Sequence, residues 1–131
     1  EEYYRKAVNL NPYNPMLLNE LGQLYIYWQK YSEAVRVLKR AHAQALEKTA
    51  ITESLALAYI YQVHYDSALA LADTLFMSDV NSPGGHLIYV VVALRQGNRH
   101  TAKHHFQEYL KYGSHRSDYS DMREYYSYLL R

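Results

Sequence analysis

Three residues that could bind a metal are evenly spaced in one segment: His100, His104 and Glu108. Intervals of four residues place all three on one face of a helix. Two histidines at i and i+4 can chelate zinc, with a carboxylate as the third ligand. The pattern offers no fourth ligand, and a polar outer helix face accounts for the same residues. We therefore predict no metal and no cofactor, and keep the three residues as a minor alternative.

Other catalytic chemistry has little support in the sequence. The chain has no cysteine, which excludes a thiolate zinc site, a cysteine nucleophile and a disulfide framework. No nucleophile motif, glycine-rich phosphate loop or pair of inward-facing carboxylates appears. The sequence therefore predicts that the chain is not an enzyme.

Composition narrows the classes of partner. The 131 residues are 49% apolar with a formal net charge of +1, which argues against a nucleic-acid arm or extended disorder. Four basic residues, Lys30, Arg36, Lys39 and Arg40, are interrupted by Glu33, and no aromatic residue lies between Arg36 and Arg40. We therefore predict no nucleic-acid binding. The longest apolar run, Leu87–Leu94, falls short of the roughly 18 residues that span a bilayer.

The compartment stays open at this point, since a chain without cysteine suits the cytoplasm and the periplasm equally. No signal peptide is evident, but the chain starts at Glu1 without an initiator methionine, and we expect it to be a fragment of a longer protein.

Apolar residues recur at helical spacing along the whole chain, and no stretch alternates as a strand would. Asn14 and Ser82 each precede a proline, which predicts an N-cap followed by the first helical residue. Ser32 is the predicted N-cap of a further helix, and Asp66 or a residue near it is the predicted N-cap of another. The sequence therefore predicts an all-α fold of antiparallel helix pairs joined by short turns.

These helices repeat with a fixed period. Ala34, Ala68 and Ala102 lie 34 residues apart, and a period of this size indicates stacked supersecondary units. The same interval relates two further sets of three: Leu21, Leu55 and Tyr89, then Tyr25, Tyr59 and Ala93.

Large and small apolar residues occupy matching positions in each unit, and this pattern resembles the tetratricopeptide repeat. The resemblance implies an α-α superhelix, or solenoid, over a single domain of residues 1–131. Its repeats would be 15–48, 49–82 and 83–116, preceded by the second helix of another repeat in 1–14 and followed by a capping helix in 117–131. The third repeat departs from the pattern at Val90 and Ala93. The first repeat carries Leu18, Leu21, Gly22, Tyr25, Ala34, Leu38 and Ala41.

The resemblance also implies a concave groove, lined by the first helix of each repeat, that binds an extended peptide or a partner helix. Several of the implied groove residues are apolar and would leave a large apolar patch in water if nothing covered them. We therefore expect a scaffold or adaptor with a protein or peptide partner. The groove residues carried over by position are Asn19, Gln23, Tyr27, Glu53, Leu57, Tyr61, Leu87, Val91 and Arg95.

The run Leu87–Leu94 is apolar on every side, and such a helix is buried all round. Either the last predicted helix, about 118–130, or a separate partner would have to cover it. That helix could cap the end of the stack or fill the groove, and the sequence leaves both open. The alternative function is therefore a terminal segment of a longer array in a larger assembly, of secretion, pilus or envelope-biogenesis type, or a self-associating module, with its groove filled by its own C-terminal helix.

Overall fold

The computed structural model describes Glu2, Lys6, Asn9 and residues 14–45 and 48–131. Most of the predicted helix in 1–14 therefore lies outside the described residues. Within the described part the chain is helical and has no strand, which confirms the predicted all-α fold of paired helices. The helices there are α1 Pro15–Tyr27, α2 Tyr31–Gln44, α3 Thr49–Tyr61, α4 Tyr65–Ser78, α5 Pro83–Arg95, α6 Arg99–Tyr112 and α7 Tyr119–Leu129.

The same tight turn joins the two helices of every pair. Gln29, Val63 and Gly97 lie 34 residues apart and adopt the left-handed backbone conformation, with φ of 62°, 63° and 76°. The N–H of each donates to the carbonyl three residues earlier, at 3.0, 2.9 and 3.2 Å. The next N–H donates to the carbonyl five residues earlier, at 2.8, 2.9 and 2.8 Å. The repeat is therefore a repeat of backbone geometry as well as of residue types.

Two of the predicted N-caps are confirmed. The Asn14 side chain accepts hydrogen bonds from the N–H groups of Met16 and Leu17, at 3.0 and 3.3 Å. The Ser82 hydroxyl accepts from the Gly85 N–H at 3.1 Å. These contacts satisfy N–H groups that have no partner within the first helical turn.

The prediction for Ser32 is wrong, because α2 begins at Tyr31 and its N-cap is Lys30. Helix α4 begins at Tyr65, so Asp66 itself lies within its first turn. After each left-handed turn a backbone carbonyl already accepts the first helical hydrogen bond. The Lys30 carbonyl accepts from the Ala34 N–H at 3.0 Å, and the His64 carbonyl accepts from Ala68 at 3.2 Å. At the start of α2, Lys30 is the N-cap and its side chain forms no cap hydrogen bond.

The chain divides into two compact units, Glu1–Ala68 and Leu69–Arg131, here called the N-terminal and C-terminal units. The predicted repeat boundaries and the single domain over 1–131 stay predictions. None of the described helices has both the length and the apolar character needed to cross a lipid bilayer.

In the N-terminal unit a glycine allows α1 and α2 to approach closely. A Cβ atom at Gly22 would lie 2.4 Å from Cγ of Leu38, which is itself fully buried. Leu18 and Tyr25 on α1 and Ala34 on α2 are buried as well. The small residue at position 22 therefore sets the spacing of this helix pair.

In the C-terminal unit α7 packs beside α6. The hydroxyl of Tyr119 donates to the Leu110 carbonyl at 3.0 Å. The Arg99 guanidinium donates to the carbonyls of Leu129 and Arg131, at 3.1 and 2.9 Å, and so satisfies acceptors at the end of α7. The core cluster of this unit draws on all three helices: Leu87, Val90, Ala93, Ala102, Phe106, Tyr109, Tyr126 and Leu130.

Candidate functional site

Six of the nine predicted groove residues lie in the N-terminal unit, on two first helices that contact each other. A hydrogen bond of 3.2 Å from the Gln23 Nε2 atom on α1 to the Ser54 hydroxyl joins these helices. Ser54 in turn donates to the Ala50 carbonyl at 3.1 Å. We call the residues Asn19, Gln23 and Tyr27 of α1 with Glu53, Leu57 and Tyr61 of α3 the α1–α3 surface.

The residues of the α1–α3 surface differ in how open they are. Tyr27 is 81% exposed, whereas Asn19 and Leu57 are half-buried. The Oδ1 atom of Asn19 is buried and accepts no hydrogen bond from any residue that the structure describes. Such an atom carries the cost of lost hydration, and a donor from a bound molecule would remove that cost.

Tyr61 is held by its own unit. Its ring stacks on that of Tyr31 with centroids 4.9 Å apart and planes 5° from parallel. Beside this stack, Gln62 donates from Nε2 to the Ser32 hydroxyl at 3.2 Å. The two contacts fasten the end of α3 to the start of α2, so Tyr61 has a structural role that the sequence analysis missed.

A second polar contact missed from the sequence lies between α2 and α3. His42 and Thr52 are joined by a hydrogen bond of 3.1 Å between Nε2 and Oγ1. Burial, with a smaller effect from the nearby Lys48 charge, lowers the pKa of His42. His42 is therefore neutral at neutral pH while it forms this contact.

The other three predicted groove residues lie on α5 in the C-terminal unit. Leu87 is only 8% exposed and belongs to the core cluster, and half-buried Val91 packs against that cluster. Arg95 is exposed at the end of α5. The apolar run of α5 is covered in part from within the unit, because Tyr126 of α7 and Leu130, the residue after α7, lie in the same cluster.

The predicted metal ligands lie on α6, where His100 and His104 are exposed and Glu108 is half-buried. Across residues 14–45 and 48–131, no group of three or more histidine or acidic side chains is arranged to hold a metal ion. The adjacent residue, His105, turns inward instead. Its Nδ1 atom lies 2.9 Å from Nδ1 of His86 on α5.

This histidine pair lies among aromatic rings. Tyr89 stacks on His105 with centroids 4.6 Å apart, and Phe76 contacts His86 edge-on at 4.8 Å. The Tyr89 hydroxyl donates to Asp73 at 2.8 Å. One ring of the pair must donate and the other accept, so the contact needs at least one neutral imidazole.

Burial, followed by the neighbouring His86 and His104, lowers the pKa of His105 to about 4, although Glu108 acts in the opposite direction. Burial also lowers the pKa of His86, and there the largest opposing effect is again that of Glu108. Both histidines are therefore neutral in the folded chain at neutral pH.

We expect the folded state to lose stability as the pH falls below about 6.5. Between pH 6.5 and 4, His105 binds a proton in the unfolded chain but not in the folded chain. The contribution of His105 to the free energy of unfolding is therefore present above this window and is lost as the pH falls through it. The thermal midpoint should drop by roughly 3–6 °C from pH 7 to pH 5.

Thermal unfolding of the wild type and of His105→Gln, followed by circular dichroism across this range, measures the effect. The variant should show a shallower pH dependence. Equal slopes for the two proteins would show that His105 does not carry the effect.

Solved structures with the same arrangement of helices identify the fold. A chain of the APC/C hetero-tetramer Cut9–Hcn1 is similar with a TM-score of 0.72 and 23% sequence identity over 94% of this chain. The pilF protein of Pseudomonas aeruginosa is similar with a TM-score of 0.70 and 19% identity over 96% of it. Both are tetratricopeptide-repeat proteins. This chain has the tetratricopeptide-repeat fold.

The similarity covers part of each relative, because the chain spans 25% of the Cut9–Hcn1 chain and 60% of the pilF chain. No family model matches the sequence, and no curated protein matches it. By the predicted repeat boundaries α1, α3 and α5 are the first helices of their pairs, and these three helices carry all nine predicted groove residues.

Proposed function

We propose that this chain is a protein-interaction scaffold that binds a peptide or a partner helix on its α1–α3 surface. The observation that carries the proposal is Tyr27, a large aromatic side chain left 81% exposed on a first helix. Tyrosine is enriched among the residues that dominate binding energy at protein interfaces, because its ring buries area while its hydroxyl forms hydrogen bonds.

Neighbouring residues support the same proposal. Half-buried Leu57 on α3 offers apolar area to a ligand. Gln23 already joins α1 to α3, so the surface is ordered before a ligand arrives. Preorganisation of this kind lowers the entropic cost of binding.

Replacing Tyr27 by alanine should weaken binding about 10-fold or more, because truncation of a central interface residue costs upward of about 1.4 kcal/mol. Peptides selected from a random library on the wild-type chain supply the ligand, and titration calorimetry measures their affinity. Since Tyr27 is exposed, the variant should keep the wild-type thermal midpoint.

Met77→Ala is the matched control, because Met77 is an exposed apolar residue on α4 rather than on a first helix. It should leave affinity unchanged. Selected peptides that bind Tyr27→Ala as tightly as the wild type would overturn the proposal.

A second candidate function is a structural segment of a longer repeat array in a larger assembly. It is supported by α7, which places Tyr126 and Leu130 in the core cluster of the C-terminal unit, and by the similar chain that comes from a hetero-tetramer. The same peptide selection on a chain ending at Gly113 separates the possibilities. Aggregation would indicate that α7 caps the stack, whereas a folded chain with new peptide affinity would indicate that α7 fills a binding surface.

A further inference from the structure

Helix α7 has two different faces. Tyr126 and Leu130 face the core of the C-terminal unit. The other side carries Tyr125 and Tyr128, which are 57% and 67% exposed. A shallow depression of about 420 Å³ lies along that side, lined by Asp121, Glu124, Tyr125, Tyr128 and Arg131. We call these five residues the outer face of α7.

The spacing of the outer face suits packing against another helix. Asp121, Glu124 and Tyr128 follow one another on α7 at intervals of three and four residues, the a and d spacing of a two-helix seam. Arg131 lies two residues beyond the end of α7 and lines the same depression. Tyr125 flanks this seam. In antiparallel pairs of this kind each a position lies opposite a d position of the second helix.

The order of charges along the outer face of α7 favours a second copy of the same face, in antiparallel orientation. In an antiparallel pair centred on position 126, Asp121 of each copy lies opposite Arg131 of the other, and Glu124 lies opposite the Tyr128 hydroxyl. A parallel pair would instead place Asp121, Glu124 and Arg131 each opposite its own copy, with repulsion at all three. A basic peptide would pair with the two carboxylates but would meet Arg131.

We propose that the outer face of α7 pairs with the same face of a second copy of this chain, forming an antiparallel two-fold dimer. Such an interface is self-complementary, so each favourable contact occurs twice. Tyr125 and Tyr128 are buried in it, and Arg131 already lies over the Tyr128 ring at 5.1 Å. This dimer does not rest on the proposed function.

The dimer is weak. Helix α7 has 11 residues, and one helix pair of that length buries less area than a standard protein interface. The dissociation constant is on the order of 0.1 mM. Its charge pairs are at the rim, so added salt weakens it.

Sedimentation velocity of the full chain from about 10 μM to about 1 mM tests the proposal. The wild type should shift from monomer to dimer across this range. Arg131→Glu and Asp121→Arg should each weaken dimerisation about 10-fold, and the double variant Asp121→Arg/Arg131→Glu should restore it. Lys103→Glu, at an exposed site on α6, matches the charge change of Arg131→Glu and should have no effect.

Introduced cysteines test the direction of pairing, since the chain has none of its own. Tyr125→Cys lies beside the two-fold axis and should form a disulfide-linked dimer at about 1 mM under oxidation, whereas Ser120→Cys lies far from its own copy and should not. A wild type that stays monomeric, a dimer insensitive to Arg131→Glu, no rescue by the double variant, or linking through Ser120→Cys would each overturn the proposal.

Discussion

Replacing Tyr109 by alanine should lower the free energy of unfolding of the C-terminal unit by about 3–5 kcal/mol. Tyr109 is fully buried, and its ring centroid lies 6.5 Å from that of Phe106 and 5.8 Å from that of Tyr119. Truncation removes the packing that α6 shares with the first residue of α7. The cavity left behind adds to the cost, because the surrounding core relaxes only in part.

Tyr109→Phe separates the ring from the hydroxyl. The hydroxyl donates a long hydrogen bond of 3.4 Å to Asp118, whose two carboxylate oxygens already accept from Arg116 at 2.9 Å each. Loss of the hydroxyl therefore leaves the carboxylate satisfied and should cost about 1 kcal/mol or less. Urea denaturation followed by circular dichroism measures both variants, and an alanine variant no less stable than the phenylalanine one would contradict the packing argument.

Replacing Gly22 by alanine should destabilise the N-terminal unit by about 1–3 kcal/mol, although alanine is favoured over glycine in a helix by about 1 kcal/mol. The new Cβ would lie 2.4 Å from Cγ and 2.5 Å from Cδ2 of Leu38. Leu38 is fully buried, so its side chain has little room to move aside.

A double-mutant cycle with Leu38→Ala identifies the cause. Leu38→Ala alone should cost about 2–5 kcal/mol by opening a cavity, and Gly22→Ala added to it should cost nothing further or stabilise. Urea denaturation of the four proteins gives the coupling free energy. Additive effects would show that the two residues do not compete for the same space.

The sequence predicted the repeat because its signals are periodic and local. Asn14 and Ser82 act as N-caps through hydrogen bonds within three residues, and such contacts follow from residue type alone. Ser32 and Asp66 have the same residue preference, yet α2 and α4 begin one residue earlier. There the left-handed turn leads directly into the helix, and no single residue type marks that turn, because its left-handed residue is Gln29 in one case and Val63 in the other.

Contacts between helices were harder to predict. His100, His104 and Glu108 were grouped because they share one face of a helix, but the histidine that makes the buried contact is His105. Its partner, His86, lies on a different helix, and periodicity within one helix carries no information about such a pair. The stack of Tyr31 on Tyr61 was not predicted either, because its two residues also lie on different helices.

The predicted groove residues differ in how far their exposure depends on residues distant in the sequence. Tyr27 is exposed, as its position on a first helix suggested, whereas Leu87 lies in a core cluster that includes residues of α7. The sequence raised α7 as a possible cover, and the structure identifies Tyr126 and Leu130 as the contacts. The positions of these two side chains could not be predicted from the sequence, because they depend on packing between helices that are distant in sequence.

The left-handed turns show that one backbone conformation is reached by glutamine, valine and glycine alike. Positive φ is unfavourable for valine, so the preference of Val63 itself does not account for this conformation. We attribute it to the flanking helices. The turns at Gln29, Val63 and Gly97 are in that sense exchangeable segments of equal length. A protein engineer could move one turn sequence into another repeat and keep the register of both helices, because the information that sets the register lies outside the turn.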